Sequence, residues 1–212
     1  GKVKIIAKEN SVVNYVINQK FTKVNNFFWM EGHLEKDATL NWFNASLGSS
    51  FSKIESITHL KGEGSQSKTY GMFLGSEEQQ FDINNITKHI AKNTTSNMFM
   101  RGIVKDRAKA LYRGLIEVGV GASGTNGYQK EDVLILDEHA EADAIPNLEI
   151  KNNEVKCSHG VSIGKINDEH LFYLMSRGLD LNEAKKEIIE GFFYPVTKDF
   201  NISVKEEVAQ RL

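Results

Sequence analysis

Up to about residue 166 the chain breaks into short β-branched and aromatic segments separated by turns, and helical periodicity is nearly absent. Strand candidates are Val12–Ile17, Asn26–Trp29, Thr39–Phe43, Ile54–Leu60, Tyr70–Leu74, Met98–Val104, Leu115–Val118, Val133–Leu136, Leu148–Ile150 and Val155–Ile163. The turns, such as Leu47-Gly-Ser-Ser50 and Lys151-Asn-Asn153, use residues that accept tight backbone bends. So many short strands restrict the body to a closed or coiled all-β form: a sandwich, a barrel or a β-solenoid. The candidates are irregularly spaced, so no crisp repeat chooses among these forms. One stretch dissents, because Val104–Tyr112 consists of good helix formers and reads as helix by propensity.

From residue 167 the pattern changes. Asn167-Asp-Glu-His is a helix start with Gly178 as its stop. Asp180 and Glu183 have capping-box spacing ahead of a helix expected to end at Gly191, and Ser203 and Glu206 repeat that spacing for a third helix. Helices this short are unstable alone and must dock. Phe172, Leu174, Phe192, Phe193 and Tyr194 are more apolar surface than such a tail can hide, which points to a partner. The expected division is a β body over 1–166 and a helical segment over 167–212.

A chain of 212 residues supports one good core, and a formal charge of −2 offers no basic stripe for nucleic acid. No apolar run is long enough to cross a bilayer as a helix. A single cysteine excludes an internal disulfide, and Gly1-Lys-Val-Lys-Ile-Ile lacks a signal-peptide layout, so a cytoplasmic-type compartment is expected. Sequons at Asn44, Asn85, Asn93 and Asn201 are what an Asn-rich chain makes by chance.

Two motifs fail for want of context. Gly62-Glu-Gly-Ser-Gln-Ser-Lys-Thr69 resembles a phosphate-binding loop, but Ser67 replaces the second glycine and a strand, not a helix, follows. Gly119-Val-Gly-Ala-Ser-Gly124 fits a dinucleotide fingerprint, yet a polar segment leading to another strand follows it. The acidic run Asp137-Glu-His-Ala-Glu-Ala-Asp143 offers metal ligands or acid–base groups but reads first as a solvated turn. His89 reads as a buried, hydrogen-bonded histidine, while His33, His59 and His170 carry no motif.

The segment Val155-Lys-Cys-Ser-His-Gly-Val-Ser-Ile163 holds the only cysteine. Alternation puts Val155, Cys157, His159, Val161 and Ile163 on one face, so thiol and imidazole point the same way. That face also carries three β-branched residues, and free cysteine is commonly buried, so residue chemistry alone ranks core packing ahead of ligation.

The runs Tyr112–Val118, Asp137–Ile150, Val155–Gly160 and Leu171–Leu179, with Glu183-Ala184 and Gly191-Phe192, closely resemble the SufB/SufD family of iron–sulfur cluster assembly. Upstream, Leu60–Gly64 and His89–Thr94 extend the resemblance. It implies a right-handed parallel β-helix followed by a small helical domain, which overrules the helix propensity of Val104–Tyr112. It also implies pairing with a SufB/SufD-type chain through the β-helix and binding of the ABC-type ATPase SufC through the C-terminal helices, with Leu171, Phe172, Tyr173, Arg177 and Phe192 as contact residues. Lys156-Cys-Ser-His-Gly160 has the SufD-like form. The SufB-type cluster cysteine would fall near Lys130 or Glu131, where this chain has none. The N-terminal helical region of many members is missing, so a fragment or a compact self-pairing member is expected.

The resemblance implies a non-catalytic scaffold holding a transient iron–sulfur cluster at a subunit interface. His159 becomes the first ligand choice and Cys157 the second, level with core packing. A histidine ligand would leave such a cluster more labile than an all-cysteine set. The rivals are a β-helix enzyme acting on acidic polysaccharide through Asp137, Glu138 and Glu141, and a cluster-free structural partner of SufC. The first of these calls for a secretion signal and a basic groove, and the sequence shows neither.

Overall fold

The computed structural model describes residues 1–200. The strands are β1 (Lys2–Ala7), β2 (Val12–Gln19), β3 (Asn25–Leu34), β4 (Thr39–Ser46), β5 (Phe51–Leu60), β6 (Gln66–Gly75), β7 (Gln80–His89), β8 (Thr95–Val104), β9 (Lys109–Val118), β10 (Asn126–Ile135), β11 (Glu141–Ile150) and β12 (Lys156–Gly164). Odd-numbered strands form one sheet and even-numbered strands the other, and every neighbour is parallel. Each coil therefore gives one strand to each sheet, which is a β-solenoid, as the resemblance implies. The two near-miss motifs are corner turns that lead into β6 and β10.

The repeat is real but drifts. Asn25 pairs with Phe51, Phe51 with Gln80, Gln80 with Lys109 and Lys109 with Glu141, steps of 26, 29, 29 and 32 residues. The constant feature is the corner. Asn10, Asp37, Gly64, Asn93 and Gly124 all have positive φ, one per coil. Their amides reach the next coil: Asn10 to Lys36 O, Asp37 to Glu63 O, Gly64 to Lys92 O, Asn93 to Ser123 O and Gly124 to Glu154 O. A side chain at Gly64 or Gly124 would fall on the side-chain Oδ1 of the stacked Asp37 or Asn93, so glycine serves both conformation and space there. The opposite corner repeats the positive φ at Lys23, Ser49, Glu77 and Asp106, and there the Glu77 and Asp106 amides reach the next coil's Asp106 and Asp137 carboxylates instead of a carbonyl. Val104–Tyr112 is the end of β8, a corner at residues 105–108 and the start of β9, and strand pairing overrides its helix propensity.

The lumen is mixed. Apolar layers such as Met30, Leu34, Leu40, Trp42, Ile54 and Leu60 alternate with paired polar groups. Trp42 Nε1 donates to Thr58 (3.0 Å), and Ser56 donates to Asn85 (2.7 Å), whose amide reaches Tyr112 (3.4 Å). His89, 1% exposed, bonds Thr94 through Nδ1 and Ser96 through Nε2, both at 2.8 Å, as the sequence reading expected.

Two α-helices follow: α1 (Asp168–Ser176), capped by Asn167, and α2 (Leu181–Thr197), with the Asp180–Glu183 capping box formed, then a 3₁₀ turn at Lys198–Phe200. The expected stop at Gly191 is wrong, since α2 runs through both Gly191 and Pro195. Ile189, Phe193 and Val196 bury against Phe43, Ala45, Leu47, Met72, Leu74 and Ile103 on the outside of the even sheet. Burial of each is worth about 1.5–3 kcal/mol, which outweighs interior penalties of about 1 for glycine and about 3 for proline. The proline ring would crowd the carbonyl of the residue four back, and that residue is Gly191. Arg101 clamps the helix: it donates to Phe192 O and to Asp132 (3.1 Å) and lies against the Phe99 and Phe192 rings. The third expected helix, from Ser203, lies outside the described residues.

Burial lowers the His89 pKa to about 4, below the unfolded value of 6.5. A depressed histidine contributes stability that is full above 6.5 and lost as pH falls toward 4. Urea unfolding at pH 7 and pH 4 should show a drop that is smaller in His89→Gln by on the order of 3 kcal/mol, at about 1.4 kcal/mol per pKa unit. Identical drops would mean that His89 does not carry this linkage.

Candidate functional site

Register decides which face of β12 looks into the solenoid. Cys157 lies opposite Gly127, His159 opposite Gln129, Val161 opposite Glu131 and Ile163 opposite Val133. Those four β10 partners are buried, whereas Asn126, Tyr128 and Lys130 are more exposed. Cys157 and His159 therefore share the lumen side, as alternation requires. β11 and β12 are the terminal strands of their sheets. Among the described residues no further coil covers this row, so His159, Val161 and Ile163 are exposed although they sit in core-facing positions.

Cys157 and His159 differ in chemistry. Cys157 is half-buried against the cluster of Met98, Ile116, Val118 and Ala122, on which Leu148 and Val155 also pack. Burial pushes its thiol pKa up, against a smaller opposing hydrogen bond from the Gly127 backbone. A thiol so held stays protonated at neutral pH, and it is the thiolate that binds metal. The His159 ring, by contrast, has no hydrogen-bond partner among the described residues and faces solvent. An exposed imidazole with a free ring nitrogen is a ready ligand for iron, copper or zinc.

Behind the row lies polar chemistry that the sequence reading passed over. Gln129 Nε2 donates to Asn147 O (2.9 Å), while its Oε1 is unpartnered. Glu131 is 2% exposed and neither carboxylate oxygen has a hydrogen bond. Burial, helped by the charge of Asp132, pushes its pKa up to about 9, so at pH 7 it is a neutral acid. Tyr112 is held well above its usual range by burial and then by Glu131. Of the two positions where a SufB-type cysteine would fall, only Glu131 looks inward; Lys130 points out, pairing with Asp132 at 3.2 Å and lying over Phe99. The alternation Gly127, Gln129, Glu131, Val133 was the signal that could have exposed this.

The helical candidates separate. Phe172 and Tyr173 are 74% and 56% exposed, and the Arg177 guanidinium lies 5.2 Å from the Tyr173 ring centre. Leu171 instead lines a crevice between the helices and the corner at Lys105 and Asp137. Phe192 is held by Arg101 within the chain. Three of the four carboxylates of the acidic run have separate partners: Asp137 accepts the Asp106 amide (2.6 Å), Glu141 pairs with Lys109 (2.9 Å) and Glu138 meets His139 (3.5 Å). Among the described residues the single cluster of three metal-ligating side chains lies elsewhere, at Glu31, His33 and His59.

Glu131 carries its own pH signature. A carboxyl whose pKa rises on folding contributes stability that is complete below the unfolded value of 4.5 and lost as pH climbs toward 9. Chemical denaturation at pH 5 and pH 8.5 should show Glu131→Gln gaining on the parent chain by at least about 1.4 kcal/mol between the two, the linkage value of one pKa unit. A constant difference would place an ionised, solvated carboxylate there instead.

Comparison with known proteins agrees with this architecture. The family model described as "SUF system FeS cluster assembly, SufBD core domain" matches residues 1–192. The chain is 32% identical over 207 residues to the iron–sulfur cluster assembly protein SufB of Bacillus subtilis, covering 97% of this chain and 44% of that protein. It is 31% identical, with the same coverage, to a SufBD family protein of Staphylococcus epidermidis. A SufBD family protein of Mycobacterium tuberculosis is 30% identical over 198 residues, 93% of this chain and 23% of its own length. The chain thus spans less than half the length of these relatives, and it belongs to the SufBD family of iron–sulfur cluster assembly proteins.

Proposed function

We propose that this chain is a non-catalytic, SufD-like scaffold that holds a nascent iron–sulfur cluster on its last coil, with His159 as its own ligand. The cluster is cargo, built there and passed on. The observation that carries this reading is the exposed, unpartnered imidazole of His159 on a lumen-facing position of a terminal strand. The exposed Val161 and Ile163 on the same face of β12 give a partner chain apolar surface to cover. A second SufB/SufD-type chain docked there brings further ligands, including the cysteine thiolate that this chain lacks near residue 131. The protonated, packed thiol of Cys157 supports ranking it behind His159.

The chain carries no phosphate-binding loop, so the energy for assembly comes from a SufC-type ABC ATPase. The surface proposed for it is the exposed side of α1, where Phe172 and Tyr173 stand free and Arg177 lies over the Tyr173 ring. Leu171 and Phe192 act from behind, seating the helices on the solenoid. The absence of a helix long and apolar enough to cross a membrane, among the described residues, agrees with a cytoplasmic assembly role.

Anaerobic reconstitution with iron and sulfide, in the complex with SufC and the pairing chain, tests the ligand. His159→Gln should fold and pair normally but lose cluster absorbance, and Cys157→Ser should lose part of it. A full cluster on His159→Gln overturns the assignment.

For the helical surface, Phe172→Ala with Arg177→Ala should weaken SufC binding by at least about tenfold, or ~1.4 kcal/mol, with the circular dichroism spectrum unchanged. Unaltered binding moves the interface off α1.

A further inference from the structure

A second constellation sits away from the last coil. His33 on β3 and His59 on β5 are register partners, and Glu31 lies two residues before His33 on the same outward face of the odd sheet. Parallel pairing sets equivalent side chains one strand spacing apart, so the two imidazoles stack at 4.7 Å between ring centres with an 11° tilt. His33 Nε2 donates to Glu31 Oε1 at 2.7 Å. One ligand atom from each of the three lies within 4.8 Å of the others. All three side chains are half-buried and mounted on strands of a continuous ladder, which limits their motion. His33 Nδ1 is buried with no hydrogen-bond partner, so nothing on that side fixes the ring tautomer.

We propose that Glu31, His33 and His59 form a binding site for a divalent first-row transition-metal ion, of the class that includes Zn²⁺, Co²⁺ and Fe²⁺. Two imidazoles and one carboxylate are the donor set such ions select, whereas Mg²⁺ and Ca²⁺ take oxygen ligands. Bonds of about 2.0–2.1 Å around a tetrahedral ion require donors roughly 3.3 Å apart. Rotation of the His59 ring and the Glu31 carboxylate closes the present spacing. On binding, the His33 proton moves from Nε2 to Nδ1, leaving Nε2 to the metal and the ring neutral. Lys4 Nζ, 3.6 Å from Glu31, must swing away, and it is exposed enough to do so. Two further cations act on His59: Lys61, two residues along the chain, and Lys88, which is already paired with Glu117 at 2.8 Å.

Three protein donors leave at least one coordination position open to water or an incoming ligand. The site is also separate from His159. It lies on the other sheet, and β5 alone is three strand spacings, about 14 Å, from the terminal strand β11. Loading it therefore does not depend on the ligand proposed for the cluster.

Titration of the full chain with Co²⁺ alone, in the absence of sulfide, tests the site. The expected result is saturable binding of one ion with ligand-field absorption in the visible, reversed by a chelator. His33→Gln and His59→Gln should each weaken binding by at least about tenfold, the scale on which even supporting groups of metal sites act. His159→Gln should leave it unchanged. Co²⁺ should raise the melting temperature of the parent chain and of His159→Gln, but not of a folded His33→Gln/His59→Gln double variant. Absence of saturable binding, or its persistence in that double variant, overturns the proposal; loss of binding in His159→Gln would assign the ion to the last coil instead.

Discussion

The structure depends on one constraint: each coil must superpose on its neighbour so that parallel strands hydrogen-bond in register. Corners bear the cost. A non-glycine residue with positive φ is unfavourable, yet Asn10, Asp37 and Asn93 hold that conformation at equivalent places, along with Gly64 and Gly124. In return their amides reach the next coil, and side chains fall into rows. The stacking of His33 on His59 and the Ser56–Asn85–Tyr112 chain are both products of such rows. Neighbours in space here are residues nearly a coil apart in sequence.

The same rows govern polarity. A solenoid core need not be wholly apolar, because a polar residue in one coil meets another directly above it and the pair satisfies itself. Asn26 donates to Ser52 at 3.1 Å and Ser56 to Asn85 at 2.7 Å in this way, while both His89 nitrogens find hydroxyls across the adjoining corner, at Thr94 and Ser96. Glu131 departs from that economy. Its row ends at Val161, which offers no hydrogen bond, so the carboxyl keeps its proton.

Much of this was legible in the residues. The turn chemistry placed most strands, and Asn167 and the Asp180–Glu183 box placed both helix starts. β7 was missed because its lumen face reads Phe81, Ile83, Asn85, Thr87, His89, where paired polar groups blur the hydrophobic alternation. β4 and β6 were read too short because the missed ends carry polar residues on the lumen face, Asn44 and Ser46 in β4 and Ser67 and Thr69 in β6, all of them buried. The solenoid itself followed from family resemblance, since drifting coil lengths hide the repeat. At the candidate site, alternation alone put Cys157 and His159 on one face. That this face is the lumen side, that Glu131 lies beneath it, and that His33 meets His59 all depend on register, which no local pattern encodes.

A stack whose coils touch only their immediate neighbours behaves as a one-dimensional chain of coupled units, with stability set by nearest-neighbour terms. The unit holding His159 has such a neighbour on one side only. Like the coil at the other end of the stack, it therefore frays before the interior coils and is cheaper to remodel. On the reading proposed above, a chain docked there would supply the missing neighbour term, so association and local ordering of the imidazole would be one thermodynamic event. Separating the two would then loosen the proposed ligand at the same moment, a route to cargo release that needs no moving part beyond the end of the stack itself.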